Sequence, residues 1–496
     1  MTRLGLAAMM LAGMLVISAC TKDDPPRMVL PGQLRTAVPA EATLVAAGAT
    51  AAEVALATSR VLFRRAPAVV LLGEENQAEL PKAAESAIRM GVPLLLTPSA
   101  GDGGPLRTEL VRLQTGSLVT IGAQAAKWAQ VSPSASAAPP SIFDAALRDI
   151  KPDPPLNRVL VLAVDDALSK AALATVRASG ARILTMTQFD PRAEAPAIKA
   201  LAGQPVDHVL GLGSAFGPPE RLRQRVDTAA GGILLPAGGQ VLFPGRRMVA
   251  LYGHPGDTKL GSLGEQGVPE AVARAKKVAA GYASLVKEPV VPAFEIIATV
   301  ASGGAGPDGD YSSESSLAHL RPWVDAAGAA GMYVVLDLQP GLTDFLTQAK
   351  RYTELLALPH VGLALDPEWR LKPGQRHMEQ IGSVSAGEVN ATSAWLAQLT
   401  RERKLPQKLL MLHQFRLDMI TNRSTLDTSH DELQVVIHAD GFGSRGQKLE
   451  TWRFLRVSPP PNVRWGWKNF YDEDTPTFTP AQTVELNPSP VFISYQ

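Results

Sequence analysis

The sequence predicts an α/β protein: a parallel-sheet α/β region over residues 42–245, then a (β/α)8 barrel over residues 246–496. Three observations predict it. Unbroken apolar strand candidates alternate with Ala-rich helical stretches, the pattern of a parallel sheet covered on both faces. In the second half the strand–helix unit recurs eight times in about 250 residues, the size of a closed barrel. Clustered polar residues fall at the ends of those eight strands, where barrel sites lie. A doubly wound sheet is the alternative for the second half; the lack of a switch signature favours closure.

At the start of the chain, Arg3 precedes an apolar run, Leu4–Ile17, shorter than the ~20 residues of a bilayer span. A basic start, a short apolar core and small residues make a secretory signal. Ile17-Ser18-Ala19-Cys20 resembles the cleavage site of a bacterial lipoprotein signal. The resemblance implies that Cys20 is acylated (palmitate or a similar chain) and holds the protein on the extracytoplasmic face of the cell membrane. A signal peptide or membrane helix with an incidental cysteine is the alternative. Residues 21–41, rich in Pro and charge, read as a tether.

Lys and Arg number 48 against 47 Asp and Glu, with no long basic run, so nucleic acid is not an expected partner. The chain has one cysteine, which excludes an internal disulfide and, once lipidated, a thiol nucleophile. Neither Gly211-Leu212-Gly213 nor Gly303, Gly304 and Gly306 forms a Walker or dinucleotide fingerprint, and no cofactor is expected.

Within 42–245 the strand candidates are Ala68–Leu72, Val92–Thr97, Leu118–Ile121, Val159–Val164, Arg182–Met186, His208–Leu212 and Gly232–Leu235. Helical stretches lie at Ala51–Phe63, Leu80–Met90, Leu106–Arg112, Ser169–Ala178 and Ala193–Leu201. The Pro/Ser/Ala-rich segment Val131–Pro155 divides two units, 42–130 and 157–245. Residues Ala51–Ala123 carry SRVLF, then GVPLLLT, then LVTIGA in order. This stretch resembles one type 2 cell-wall-binding repeat, which implies contact with an anionic wall polymer. Asn76-Gln77-Ala78-Glu79 stands where that family has Phe-Pro-Asp-Ala. A generic flavodoxin-like domain is the alternative.

The eight barrel strands are expected at Met248–Tyr252, Ala293–Thr299, Met332–Leu338, Val361–Leu365, Lys408–His413, Leu433–His438, Val463–Trp467 and Val491–Tyr495. Their ends supply the expected site. Strand one gives His254, strand two Glu295, and strand three Asp337 and Gln339. Strand four gives Asp366, Glu368 and Trp369; strand five gives His413 and Gln414. Strand six gives His438 and Asp440, strand seven Trp465, Trp467 and Lys468, and strand eight Tyr495. Polar loops after strands are common, so the weight rests on their concentration.

Leu363-Ala364-Leu365-Asp366-Pro367-Glu368-Trp369 is the sharpest element. Residues i and i+2 of a strand share a face with Cα atoms ~6.6 Å apart, so Asp366 and Glu368 are expected to project together. Two carboxyls suit glycoside cleavage, one protonating the leaving oxygen and the other stabilising or attacking the sugar carbon. Repulsion and burial raise the pKa of one of them. Trp369, Trp465 and Trp467 offer platforms for sugar rings. A structural carboxylate pair locked by Arg370 or Lys468 is the alternative.

Asp-x-Glu at the end of strand four resembles chitinase-like hydrolases and Chalaropsis-type muramidases. By that likeness Glu368 is the acid and Asp366 its partner. Ala364 departs from the chitinase pattern, and His254 stands where the muramidases have Asp. The placement of His254, His413 and His438 resembles amidohydrolase barrels, implying a zinc-like metal with Asp366 or Asp440; the His-x-His of strand one is absent. Gly253-His254-Pro255-Gly256 faintly resembles phosphodiesterase barrels, without their acidic pair. The barrel as a whole is similar to actinobacterial lipoproteins, a likeness that carries no activity.

The leading expectation is a surface lipoprotein that hydrolyses cell-envelope or environmental glycans without a metal. A non-catalytic glycan-binding envelope protein is the second, and a metal-dependent hydrolase the third.

Overall fold

The computed structural model describes residues 33–99, 103–131, 136–138, 153–204 and 206–496. Cys20 and residues 21–32 lie outside the described residues, as does most of the segment between Val131 and Pro155. The last part of the expected tether belongs to the fold. Leu34 is buried, Arg35–Thr36 pairs antiparallel with Phe63–Arg65, and the Thr36 amide donates to Asp153.

The N-terminal region holds two four-stranded sheets. One orders Leu94–Thr97, Ala68–Gly73, Ser117–Ile121 and Ser136–Ala138; all its pairings are parallel. The other orders Thr43–Ala46, His208–Leu212, Val159–Val164 and Arg182–Met186, again all parallel. The expected split into units 42–130 and 157–245 is therefore crossed by the first strand, which completes the second sheet. A shared core runs between the sheets, and Thr175 Oγ1 bonds both the amide and the carbonyl of Leu94 across it.

The strand expected at Gly232–Leu235 is a loop. Gly232 lies in the left-handed region, and Leu235 closes a turn onto the Gly239 carbonyl through Ala237, Gly238 and Gly239, all at positive φ. Consecutive left-handed residues do not extend. This loop instead plugs the barrel: Leu235, Leu242 and Phe243 pack with Met248, Val291, Tyr333 and Leu409 at its N-terminal end.

The barrel's eight strands are β1 (Arg247–Gly253), β2 (Val290–Ala301), β3 (Tyr333–Leu338), β4 (Val361–Leu365), β5 (Lys408–Gln414), β6 (Leu433–Ala439), β7 (Arg464–Asn469) and β8 (Phe492–Tyr495). All are parallel, and β1 pairs with both β2 and β8, so the sheet closes. Helices follow most strands, among them Val268–Ala280, Leu317–Ala329, Ala386–Glu402 and Arg445–Leu455. Alternation along each strand sends one row inward. Ala250, Ala293, Val335, Ala364, Met411 and Val436 fill the lower interior. Two residues further along the same rows stand Tyr252, Glu295, Asp337, Asp366, His413 and His438, all buried. The apolar lower half offsets what the polar upper half costs.

The N-terminal region docks on the barrel's lower end through charge. The Arg192 side chain, 5 % exposed, meets Asp190 and Asp431 at 2.8 Å each, and Arg225 reaches Asp431 at 2.6 Å. Asp431 lies just before β6. Asp190 stays beside both arginines, 2.8 Å from Arg192 and 3.4 Å from Arg225, so loss of Asp431 removes charge-assisted hydrogen bonds, about 1.5–3 kcal/mol, without leaving an arginine unpaired. We expect Asp431→Ala to lower unfolding stability by that amount in chemical denaturation. Unchanged stability would show that these pairs do not hold the two regions together.

Candidate active site

A cavity of about 440 Å³ opens at the C-terminal ends of the strands. Its size is that of a small-molecule site. Of the expected residues, Gln339, Asp366, Glu368, Trp369, Asp440 and Lys468 line it. Tyr252, Phe415, Phe442 and Phe470 join them. Below the floor, fully buried, lie Glu295, Asp337, His413 and His438.

The remaining expected residues point elsewhere, all but His254 for one reason. Neighbouring strand residues face opposite sides, so Lys468 inward puts Trp467 outward, and His413 does the same to Gln414. Trp467 packs on Trp452 and Phe478, and its indole donates to Asn469. Trp465 packs on the other side of Trp452. Gln414 accepts from the Arg423 guanidinium. Tyr495 meets the Tyr282 hydroxyl at 2.5 Å and stacks on Tyr471, while Ser494 faces inward to His438. His254 lies past the strand end, bonded to the Ile297 carbonyl and stacked on His319. The three histidines therefore do not converge: only His413 and His438 meet, with ring centroids 5.0 Å apart.

Below the floor, His413 is clamped by two acids. Its Nε2 lies 2.7 Å from Glu295 Oε1 and its Nδ1 2.9 Å from Asp440 Oδ2. Asp337 Oδ1 stands 3.8 Å from the same Nε2, and Asp337 Oδ2 accepts from the Tyr252 hydroxyl at 2.9 Å. Gln339 donates to that hydroxyl, and Lys468 Nζ sits 3.5 Å above the Tyr252 ring centre. Burial pulls the His413 pKa down, but Asp337, Glu295 and the two hydrogen bonds outweigh it and hold it well above the usual histidine range. Burial, helped by the charge on His413, pushes His438 well below that range.

The carboxyls divide. Asp366 accepts from the Glu368 amide at 3.1 Å, which caps the single turn Pro367–Trp369 and fixes where Glu368 starts. Burial first, then Asp337, raises the Asp366 pKa well above the ordinary value. Burial, opposed by the charge on His413, brings Asp337 to about 6. Glu368 is pushed up to about 7 by burial and by Asp440, against Lys468 and His413. Asp440 goes the other way: burial would raise it, but the hydrogen bond and charge of His413 lower it.

No lock holds Glu368. Arg370 pairs with Glu388 at 3.0 Å and donates to the carbonyls of Gly341, Leu342 and Leu371. Among the described residues, no side chain makes a hydrogen bond or ion pair with the Glu368 carboxyl.

No protein-family model matches the chain, and no curated protein sequence is significantly similar to it. Among the described residues no helix is long and apolar enough to cross a membrane.

Sequence reasoning missed Tyr252, Phe415, Phe442 and Phe470. Tyr252 had a signal: it continues the inward row of Met248 and Ala250. The three phenylalanines lie on loops after β5, β6 and β7, which follow no period.

Gly466 of β7 faces inward against His438. A Cβ there would stand 2.5 Å from a His438 ring atom. That ring is packed between His413 and Phe492 and has no room to retreat. Overpacking of a filled core costs about 1–3 kcal/mol. Gly466→Ala is therefore expected to lower the melting temperature and to shift the His438 ring resonances in NMR spectra. Unperturbed resonances would mean that the floor is looser than this packing.

Proposed function

We propose that the barrel is a glycoside hydrolase of cell-envelope or environmental glycans, with Glu368 as general acid. One observation carries the reading. Glu368 lines the cavity unlocked, with its proton affinity raised to about 7, while Asp440 in the same cavity has its own lowered by His413. Two carboxyls whose environments push their affinities apart divide the acid and anion roles. Glu368 gives its proton to the leaving glycosidic oxygen. Asp440, ionised, stabilises the charge that builds on the sugar carbon or takes the proton of the attacking water.

Asp366 takes a different part in this scheme from that of nucleophile. Its raised affinity favours the neutral form, in which it is a hydrogen-bond donor beneath the substrate. The faces of Trp369, Phe415, Phe442 and Phe470 suit the apolar faces of sugar rings.

The rest of the chain fits attachment to an envelope. The lipoprotein-like signal places Cys20 on the membrane, and the repeat-like segment at Ala51–Ala123 brings the N-terminal region to wall polymer. That region packs on the lower end of the barrel, which leaves the cavity open.

Release of new reducing ends from purified cell-wall glycan and an oligosaccharide panel tests the activity. General acid catalysis contributes about 10²–10⁴-fold, so Glu368→Gln is expected to lose that much rate. The acid works only when protonated. The rate should be constant below pH 7 as far as Glu368 decides it, and fall about tenfold per unit above its pKa. A rate that rises through pH 7 would give Glu368 the role of base. Glycan retained by parent and variant alike, with no release, would replace the hydrolase with the binding protein.

A further inference from the structure

The groups under the cavity floor have more unmet bonding capacity than the proposed hydrolysis uses. Among buried side-chain atoms without a partner are Glu295 Oε2 and His438 Nδ1. Both residues are 0 % exposed. An unpaired carboxylate oxygen and an unpaired imidazole nitrogen in a buried interior are each costly. One donor atom each from Glu295, His413 and His438 lies within 4.8 Å of the others. We propose that these three residues bind one first-row divalent transition metal ion beneath the floor of the barrel site.

The donor set is two imidazoles and a carboxylate, which suits Zn²⁺, Co²⁺ or Mn²⁺ rather than Mg²⁺ or Ca²⁺. Outer partners orient the imidazoles. The His413 Nδ1–H donates to Asp440 at 2.9 Å, and its Nε2, 2.7 Å from Glu295 Oε1, gives up its proton when the ion enters between them. His438 Nε2 lies 3.3 Å from the Ser494 hydroxyl, which leaves Nδ1 as its nitrogen without a partner. A carboxylate or hydroxyl behind each ligating histidine is the usual outer support of a metal site. The open oxygen of Asp337, 3.8 Å from His413 Nε2, adds negative charge beside the ion. Asp366, His413 and Asp440 also converge, with Asp440 Oδ1 unpartnered, but that set offers a single imidazole and suits a transition metal less well.

None of the three ligands lines the cavity, so the ion does not touch substrate. It acts as a tie among β2, β5 and β6. Through His413 it also sets the position of Asp440 in the wall above. The site exists whether or not the cavity cleaves glycans, and its test uses no substrate.

Purified full-length protein, stripped with chelator and dialysed, would be titrated with Zn²⁺ and, separately, Co²⁺. Bound metal per chain, the visible spectrum of the Co²⁺ form and the melting temperature are the readouts. One retained ion per chain is expected, with imidazole-type Co²⁺ bands and a melting temperature raised by about 5 °C or more at saturation. Mg²⁺ and Ca²⁺ should not be retained. Asp440→Asn should weaken binding by about 10–100-fold, as loss of an outer partner does. Glu295→Gln and His438→Gln should weaken it further, and Glu368→Gln should bind as the parent does. Should one ligand variant fail to fold by circular dichroism, the other variant and the parent's Co²⁺ spectrum decide. A folded parent that retains no ion, or ligand variants that retain it as the parent does, would overturn the proposal.

Discussion

His413 sits between Glu295 and Asp440 with both ring nitrogens engaged, and the upper barrel depends on that clamp. Glu295 lies 118 residues before His413 and Asp440 27 residues after it, and the imidazole joins β2, β5 and the end of β6 inside the barrel. Taking several carboxyls out of water costs several kcal/mol per charge unless each is paired or neutralised. The barrel meets that demand in three ways. It gives Asp440 and Glu295 an imidazole, gives Asp337 a phenol, and raises the proton affinities of Asp366 and Glu368. Each solution produces a different acid, and the site is made of those differences.

This arrangement is tolerable because the polar layer is thin. One inward step below it, Ala250, Ala293, Ala364 and Met411 begin an apolar core, which the loop bearing Leu235, Leu242 and Phe243 seals from beneath. The seal is contributed by the segment that joins the N-terminal region to the barrel. Arg192, Arg225 and Asp431 hold the two together around it. Burial below and polarity above divide the barrel into a half that stabilises and a half that can do chemistry, as this fold commonly does.

The barrel was legible because its signal is long and repeated. Eight apolar runs, most of them followed by a helix pattern, leave few topologies, and every expected strand of the second half is present. Individual side chains were less legible for a local reason. A strand end such as Trp465-Gly466-Trp467-Lys468 gives no hint of which parity faces inward until one neighbour is fixed, and an error of one residue exchanges Trp467 for Lys468. The same ambiguity hid Ser494 behind Tyr495 and made Gln414 look equivalent to His413. In the N-terminal region the errors were topological. Thr43–Ala46 is short and joins a sheet whose other strands begin more than a hundred residues later, so no local pattern places it. Gly232–Leu235 looked extended because its Leu and Ile run is apolar, while the positive φ of the following residues decides otherwise.

Proximity in sequence and pairing in function separate at Asp366 and Glu368. Their i, i+2 spacing suggested two side chains side by side, but the strand ends at Leu365, and Asp366 turns its carboxyl back to cap the turn that carries Glu368. A capping carboxyl is committed to the backbone, whereas among the described residues no side chain holds the Glu368 carboxyl. The acid that raises the Glu368 proton affinity is Asp440, which follows β6, one strand beyond β5 from the strand that leads to Glu368. The parallel order β4, β5, β6 brings these two together, and it also sets His413 of β5 against Asp440. The imidazole lowers one affinity and so sharpens the contrast with the other. The division of labour between the two carboxyls is thus a consequence of barrel geometry, which a three-residue motif does not contain.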